Sequence, residues 1–258
     1  MVPCASALCL LCRFLTKLLL FIVRYLLALD NLRLLLILIW PYLLVMFTFC
    51  VFVMLNGGIT VGDRSSHEAV AHLAQLLYCA ACVLFFAAPV LITSDKIKRF
   101  LQCVKNHAGS WIIGIIVCAF VLTKHFYEHP YLLADNRHYT FYIWRWFLGK
   151  NFVRFLFIPV YLYAVWSIND SLKETQCFLW RIVLLICVAA SVVPQRLLEV
   201  RYFVLPYVIF RLHVKEQTAN VVATELLLNV VVNAFTFAVF LLKTFSWPDL
   251  AEPQRMMW

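Results

Sequence analysis

A chain of 258 residues could hold one or two soluble domains, but 64% hydrophobic and 14% charged residues, with a mean hydropathy of +0.88, exclude an ordinary soluble core. The formal net charge of +9 would suit nucleic acid, yet the Lys and Arg are scattered singly between apolar runs and form no continuous basic face. Membrane flanks and anionic lipid headgroups account for most of them, so the composition predicts an all-α polytopic membrane protein surrounded by membrane lipids.

In chain order, the first apolar segment, 7–29, is interrupted by Arg13, Lys17 and Arg24. No small-residue cleavage site follows it, so it reads as a weak amphipathic span rather than a signal peptide. A membrane-crossing helix needs about 20 apolar residues; further candidates fall near 34–55, 73–92, 110–123, 152–169, 178–193 and 221–243. That makes about six to seven spans. Segments such as 202–212 are expected to be re-entrant or interfacial. Fixed-period repeats, Ser/Pro-rich linkers and low-complexity tracts are missing, which predicts a single multi-span domain over 1–258.

Alternating the strong spans puts loops 56–72, 124–151 and 194–220 on one side, and loops 93–109 and 170–177 with the C-terminal tail on the other. Lys96, Lys98, Arg99 and Lys105, with Arg24 and Arg33, argue that the latter side is cytoplasmic. Arg196, Arg201, Arg211 and Lys215 vote the other way, which suggests that some of these cations serve an anionic ligand on the luminal side. The sequon Asn169-Asp170-Ser171 then falls on the cytoplasmic side and is expected to be unused.

Several motifs point to chemistry and fail on context. The ten cysteines lie mostly inside apolar runs and read as small hydrophobes; Cys9/Cys12 and Cys79/Cys82 have zinc or redox spacing without a nearby second ligand pair. His125, Glu128 and His129 match the H-x-x-E-H pattern of inverted zinc peptidases, but Pro130 disfavours the helix that pattern needs. Asn56-Gly57-Gly58 is followed by no phosphate-loop signature and reads as a turn. No metal site is expected.

Three polar loops stand out against the apolar background: "NGGITVGDRSSHEA" (Asn56 to Ala69), "HPYLLADNRHYTFY" (His129 to Tyr142) and "PQRLLEVRYF" (Pro194 to Phe203). Taken singly, each is a solvated loop with a local ion pair: Asp63 with Arg64, Asp135 with Arg137, Glu199 with Arg201. Taken together on one face, they offer Arg for a phosphate, carboxylates for proton removal and aromatic rings for sugar faces.

These stretches carry a resemblance. "LLADNRHYTFYIW", "NGGITVGDRSSHEA", "PQRLLEVRYFVLPY" and "QRMMW" (Gln254 to Trp258) are similar to the endoplasmic-reticulum family of dolichyl-phosphate-glucose-dependent α-1,2-glucosyltransferases. That family adds the terminal glucose to the lipid-linked oligosaccharide for N-glycosylation. The similarity runs from about Trp40 to Trp258, with 1–39 matching only weakly.

The resemblance implies a helical bundle of the glycosyltransferase C type in the endoplasmic-reticulum membrane, with its polar loops facing the lumen. It implies a dolichol-linked donor and an oligosaccharide acceptor as partners, and no cofactor, since dolichyl-phosphate glucose is itself the donor substrate. A β-linked donor and an α-linked product mean inversion in a single displacement. One carboxylate then deprotonates the acceptor hydroxyl, while cations stabilise the leaving phosphate. Arg137, Arg196, Arg201 and Arg64 are the phosphate candidates; Asp135, Asn136, His138, Tyr139, Glu199 and Tyr202 are the sugar-binding candidates.

Members of that family are nearly twice as long, and their catalytic acid lies in a luminal loop next to the first span. The chain is therefore expected to correspond to the C-terminal half of such an enzyme, from a truncated product or partial gene model. Asp63, Glu68 and Asp135 are the substitute candidates for the base. The rival expectation is a non-catalytic membrane interaction or regulatory protein derived from the same family. A transporter would call for more ionisable residues within the spans than Arg154, Arg181 and Glu225.

Overall fold

The computed structural model describes residues 20, 29–59, 70–129, 132, 136–150, 152–246 and 252–256. The chain falls into two compact units, Met1–Arg64 and Ser65–Trp258.

In the first unit, α1 (Leu29–Asn56) runs for 28 residues through Pro41. Its described side chains are almost all exposed, including Leu36, Tyr42, Phe47 and Leu55. A helix apolar on every side finds its solvent in hydrocarbon. It stops where Gly57 adopts φ 69°, a left-handed conformation that a Cβ disfavours, and Gly58 N–H donates to Val53 O at 3.0 Å.

The second unit is a helical assembly comprising α2 (Ala74–Phe86), α3 (Ala88–Leu91), α4 (Ser94–Asn106), α5 (Ala108–Lys124), α6 (Tyr139–Ile143), α7 (Val153–Leu156), α8 (Ile158–Leu172), α9 (Phe178–Val192), α10 (Val204–His213) and α11 (Ala219–Leu242). A π turn over Trp144–Leu148 extends α6 and a 3-10 turn over Val200–Phe203 precedes α10. The described residues are mostly helical, as expected, with one short antiparallel pairing of Thr244–Phe245 with Gln254–Arg255. The core centres on α2 against α8, where Ala74, Ala80 and Ala164 let the backbones approach and Tyr78 meets Tyr161 at 6.1 Å between ring centroids.

Among the described residues, Leu32–Asn56, Val153–Leu172 and Ala219–Leu242 are long and apolar enough to cross a membrane. A fourth crossing results if α4 and α5, bent by 100° at His107, count together. The segment expected as one span over 73–92 is broken at Ala87, because Pro89 lacks the N–H that would continue α2 and its ring crowds the carbonyl four residues back. Apolar α9 is 15 residues long. The amphipathic span expected over 7–29 lies, apart from Leu20 and Leu29, outside the described residues.

The unit has two ends. At one, segments 70–73, 125–129 and 193–199 meet. At the other, α4 packs on the end of α8: Arg99 binds Asp170 at 3.0 Å, Lys173 binds it at 2.5 Å, and Lys96 donates to Ser171 Oγ. Segment 194–220, expected to lie on one side, is divided between these ends. Through α10 the chain runs to the second end, where Thr175 donates to His213 O at 2.5 Å and Trp180 packs on His213 at 4.5 Å. The next helix, α11, returns, so its later turns approach Tyr139 and the segment 252–256 reaches Arg137. The described tail thus shares an end with the polar loops, against the alternation expected from the strong spans alone. Arg211 and Lys215 leave that end and join the basic one, which removes half of the contrary charge vote.

Candidate functional site

The junction of segments 70–73, 125–129 and 193–199 is built from backbone outward. Val70 N–H donates to Pro194 O at 3.3 Å and His72 N–H to Val193 O at 3.1 Å, so the strand-like approach to α2 lies against the end of α9. His125 Nδ1 donates to Ala71 O at 2.9 Å, which brings in the segment after α5. Gln75, in the first turn of α2, donates through one amide nitrogen to Gln195 O at 3.2 Å and Leu197 O at 2.9 Å. Residues 120 or more positions apart are thereby clamped by one side chain.

His72 completes the clamp. Its Nδ1 lies 3.3 Å from Gln195 O, and a carbonyl partner requires that nitrogen to carry the proton, leaving Nε2 as an acceptor. The ring is fully buried between Tyr127, at 5.5 Å, and Tyr78, at 6.2 Å. Burial pushes the imidazole pKa down to about 4, outweighing the carbonyls of Gln195 and Arg196 that favour the charged form. The imidazole is therefore neutral at physiological pH.

Three buried polar atoms here have no hydrogen-bond partner within the protein: His72 Nε2, Gln75 Oε1 and Tyr78 Oη. Each such atom costs about 1–3 kcal/mol, and two of the three can only accept. Such a cluster suits donors, above all hydroxyl groups. Arg196 lies on the same loop, half-buried between the two residues whose carbonyls Gln75 holds, and its Nε is buried without a hydrogen-bond partner.

The other expected residues distribute around this junction. Arg201 contacts the Glu199 carboxylate and lies over the Tyr202 ring at 5.7 Å, with Arg201 exposed and Glu199 largely covered. Burial works against the Arg201 charge, but Glu199 and Tyr202 together outweigh it and hold the guanidinium above its ordinary range; burial also pushes the Tyr202 phenol up. Arg137 donates to Gln254 Oε1 at 3.2 Å and the Tyr139 hydroxyl approaches Thr236 O at 3.5 Å, so both are drawn toward α11 and the tail. Asn136 and His138 are half-buried and engaged. Asp63, Arg64, Glu68 and Asp135 lie outside the described residues.

Beneath the junction, a groove of about 300 Å³ runs between α2, α8, α9 and α10. Its lining includes Leu76, Val83, Ile168, Leu185 and Phe210, with Asn169 and Arg181 as polar members at the basic end. Leu76 follows Gln75 directly. The H-x-x-E-H residues cannot act as the zinc motif requires, because α5 ends at Lys124 and His125–His129 follow a non-helical path.

His72, Gln75 and Tyr78 were not among the residues singled out from sequence. They stand at the edge of an apolar run, where an isolated polar residue reads as a span boundary. The signal that could have found them is Gln75 and Tyr78, three residues apart on α2 as it enters the apolar layer, with His72 just before the helix.

The curated relatives include a human protein named Dol-P-Glc:Glc(2)Man(9)GlcNAc(2)-PP-Dol alpha-1,2-glucosyltransferase, 47% identical over 243 residues, covering 94% of this chain and 51% of the relative. A rat protein of the same name is 45% identical, covering 95% of this chain and 52% of its own length. One from Arabidopsis thaliana is 34% identical, covering 84% and 44%. The chain spans about half the length of the curated relatives it matches. No solved structure matches it. The model of the DIE2/ALG10 family matches residues 7–212, taking in most of the first 39 residues, where the sequence reading found only weak similarity. With that match over most of its length, the chain belongs to the DIE2/ALG10 family.

Proposed function

We propose that this chain, which matches about half the length of its relatives, acts as an inverting α-1,2-glucosyltransferase. The enzyme transfers the third, terminal glucose from dolichyl-phosphate glucose to the diglucosylated dolichyl-diphosphate oligosaccharide in N-glycan precursor assembly. It acts in the endoplasmic-reticulum membrane as part of a glycosyltransferase C type bundle, about six to seven spans coming from this chain. The polar-loop junction faces the lumen. The observation that carries this reading is the convergence of segments 70–75, 125–129 and 193–199 beside an apolar groove. A polar head and a hydrocarbon tail are the two parts of a polyprenyl-phosphate sugar.

In this scheme Arg196 and Arg201 stabilise the charge that develops on the departing phosphate, with Arg137 and Arg64 as further candidates for the same role. Phosphate leaves without a proton, so the remaining requirement is a carboxylate that takes the acceptor hydroxyl proton. Asp63, Glu68 and Asp135 are the candidates for that base. Asn136, His138, Tyr139, Glu199 and Tyr202 contact sugar hydroxyls and ring faces. No cofactor is called for, because the glucose arrives already activated.

The test is glucose transfer from dolichyl-phosphate glucose to the diglucosylated lipid-linked oligosaccharide in microsomes devoid of their own activity and expressing this chain alone. Transfer is the expected outcome. A stably inserted chain that transfers nothing would overturn autonomous activity and favour the non-catalytic, regulatory reading.

A further inference from the structure

The helix α4 has two dissimilar sides. One is held against the protein: Arg99 reaches the nearly buried Asp170, Lys96 reaches Ser171, and Phe100 packs at 5.0 Å on Trp111, 5.0 Å on Tyr163 and 5.3 Å on Trp166. The other side carries Ile97, 39% exposed, and Leu101, 60% exposed, one turn apart. Lys98 and Lys105, two turns apart, border this apolar strip along one edge and are exposed, and among the described residues neither forms an ion pair.

The direction of α4 supplies the second observation. The next helix, α5, is apolar throughout its length and exposes Ile112, Ile113, Ile116 and Phe120, so it runs with the hydrocarbon. A 100° turn at His107 then lays α4 across that direction, as a helix lying along a membrane surface would run. The ring cluster of Phe100, Trp111, Tyr163 and Trp166 sits at this corner, the depth that amphipathic aromatic rings favour.

We propose that α4 is an in-plane helix that seats on anionic phospholipid, with Ile97 and Leu101 entering the acyl boundary while Lys98 and Lys105 bind headgroup phosphates. The Asp170 contacts fix the helix to α8 so that its lysines stay at headgroup depth. The occupant is a charged lipid surface, since two unpaired cations bordering exposed aliphatic side chains complement neither a neutral lipid nor a soluble acidic ligand. This assignment stands independently of the glucosyltransferase reading.

The purified full chain is reconstituted into nanodiscs of equal parts phosphatidylcholine and phosphatidylserine and re-extracted with detergent. The lipid that stays bound is then counted by mass spectrometry. Phosphatidylserine is expected to be enriched at least about fivefold, and to lose that enrichment in a Lys98→Gln/Lys105→Gln variant and in high salt. A Lys150→Gln/Lys243→Gln variant, which removes two exposed cations from the other end, is expected to retain it. Equal retention of both lipids, enrichment indifferent to the first variant, or equal loss in both variants would overturn the assignment.

Discussion

At the scale of single residues, His72 carries the sharpest prediction. Its ordinary pKa is 6.5 and its pKa in the folded protein is about 4, so the unfolded chain binds the proton more readily. The corresponding stability is complete above pH 6.5 and drains away as the pH falls toward 4, by about 2 kcal/mol between pH 6.5 and 5. Thermal unfolding of the purified chain in detergent should show that loss, and a His72→Asn variant should show a flatter profile; identical profiles would remove His72 from the account. Arg196 bears on the proposed chemistry. Its replacement by Ala should raise the apparent KM for dolichyl-phosphate glucose about tenfold or more, the worth of one charged hydrogen bond, while leaving acceptor KM unchanged. A variant that changes acceptor KM alone would contradict the phosphate role.

At the scale of elements, α11 is held by very little of its surface. Of its side chains, Glu225 is buried, gripped by Arg211 through two contacts of 2.7 Å and by the Tyr207 hydroxyl at 3.0 Å, all from α10. Removing one partner strands a charge in an apolar layer, so Glu225→Ala should destabilise the chain by about 3–5 kcal/mol. The double variant Arg211→Met/Glu225→Leu should recover most of that loss in the same unfolding measurement, and a double variant as unstable as the single one would refute the ion-pair account. The long apolar runs that became α1, α8 and α11 were readable because hydrocarbon thickness imposes their length. The ten-residue α10 was readable only as a re-entrant or interfacial segment, since Arg211 and His213 interrupt its apolar run and its attachment to Glu225 lies outside any local pattern.

That misreading propagates to the whole molecule. One additional traverse inverts everything after it, so the tail moved to the end occupied by the polar loops. Single cysteines placed at 138 and 252, in a background freed of other reactive cysteines, should be labelled from the same side of sealed microsomes; cysteines at 98 and 173 should be labelled from the opposite side. Labelling of 252 together with 98 would restore the alternation expected from sequence. The site was legible in outline and not in composition: "PQRLLEVRYF" and "HPYLLADNRHYTFY" advertised themselves through clustered charge. Gln75 holds the carbonyls of Gln195 and Leu197 across 120 and 122 residues, and no local pattern announces such a partner.

The bond between Arg137 and Gln254 sets an order of events during synthesis. The two residues are 117 positions apart, so Gln254 leaves the ribosome roughly 6–23 s after Arg137 at ordinary translation rates of about 5–20 residues per second. Throughout that interval the second polar loop is already delivered to its side of the membrane while the segment that docks on it is still unmade. Any quality-control factor that samples nascent membrane proteins therefore meets Arg137 before Gln254 has docked on it, and docking of the tail withdraws that guanidinium from inspection.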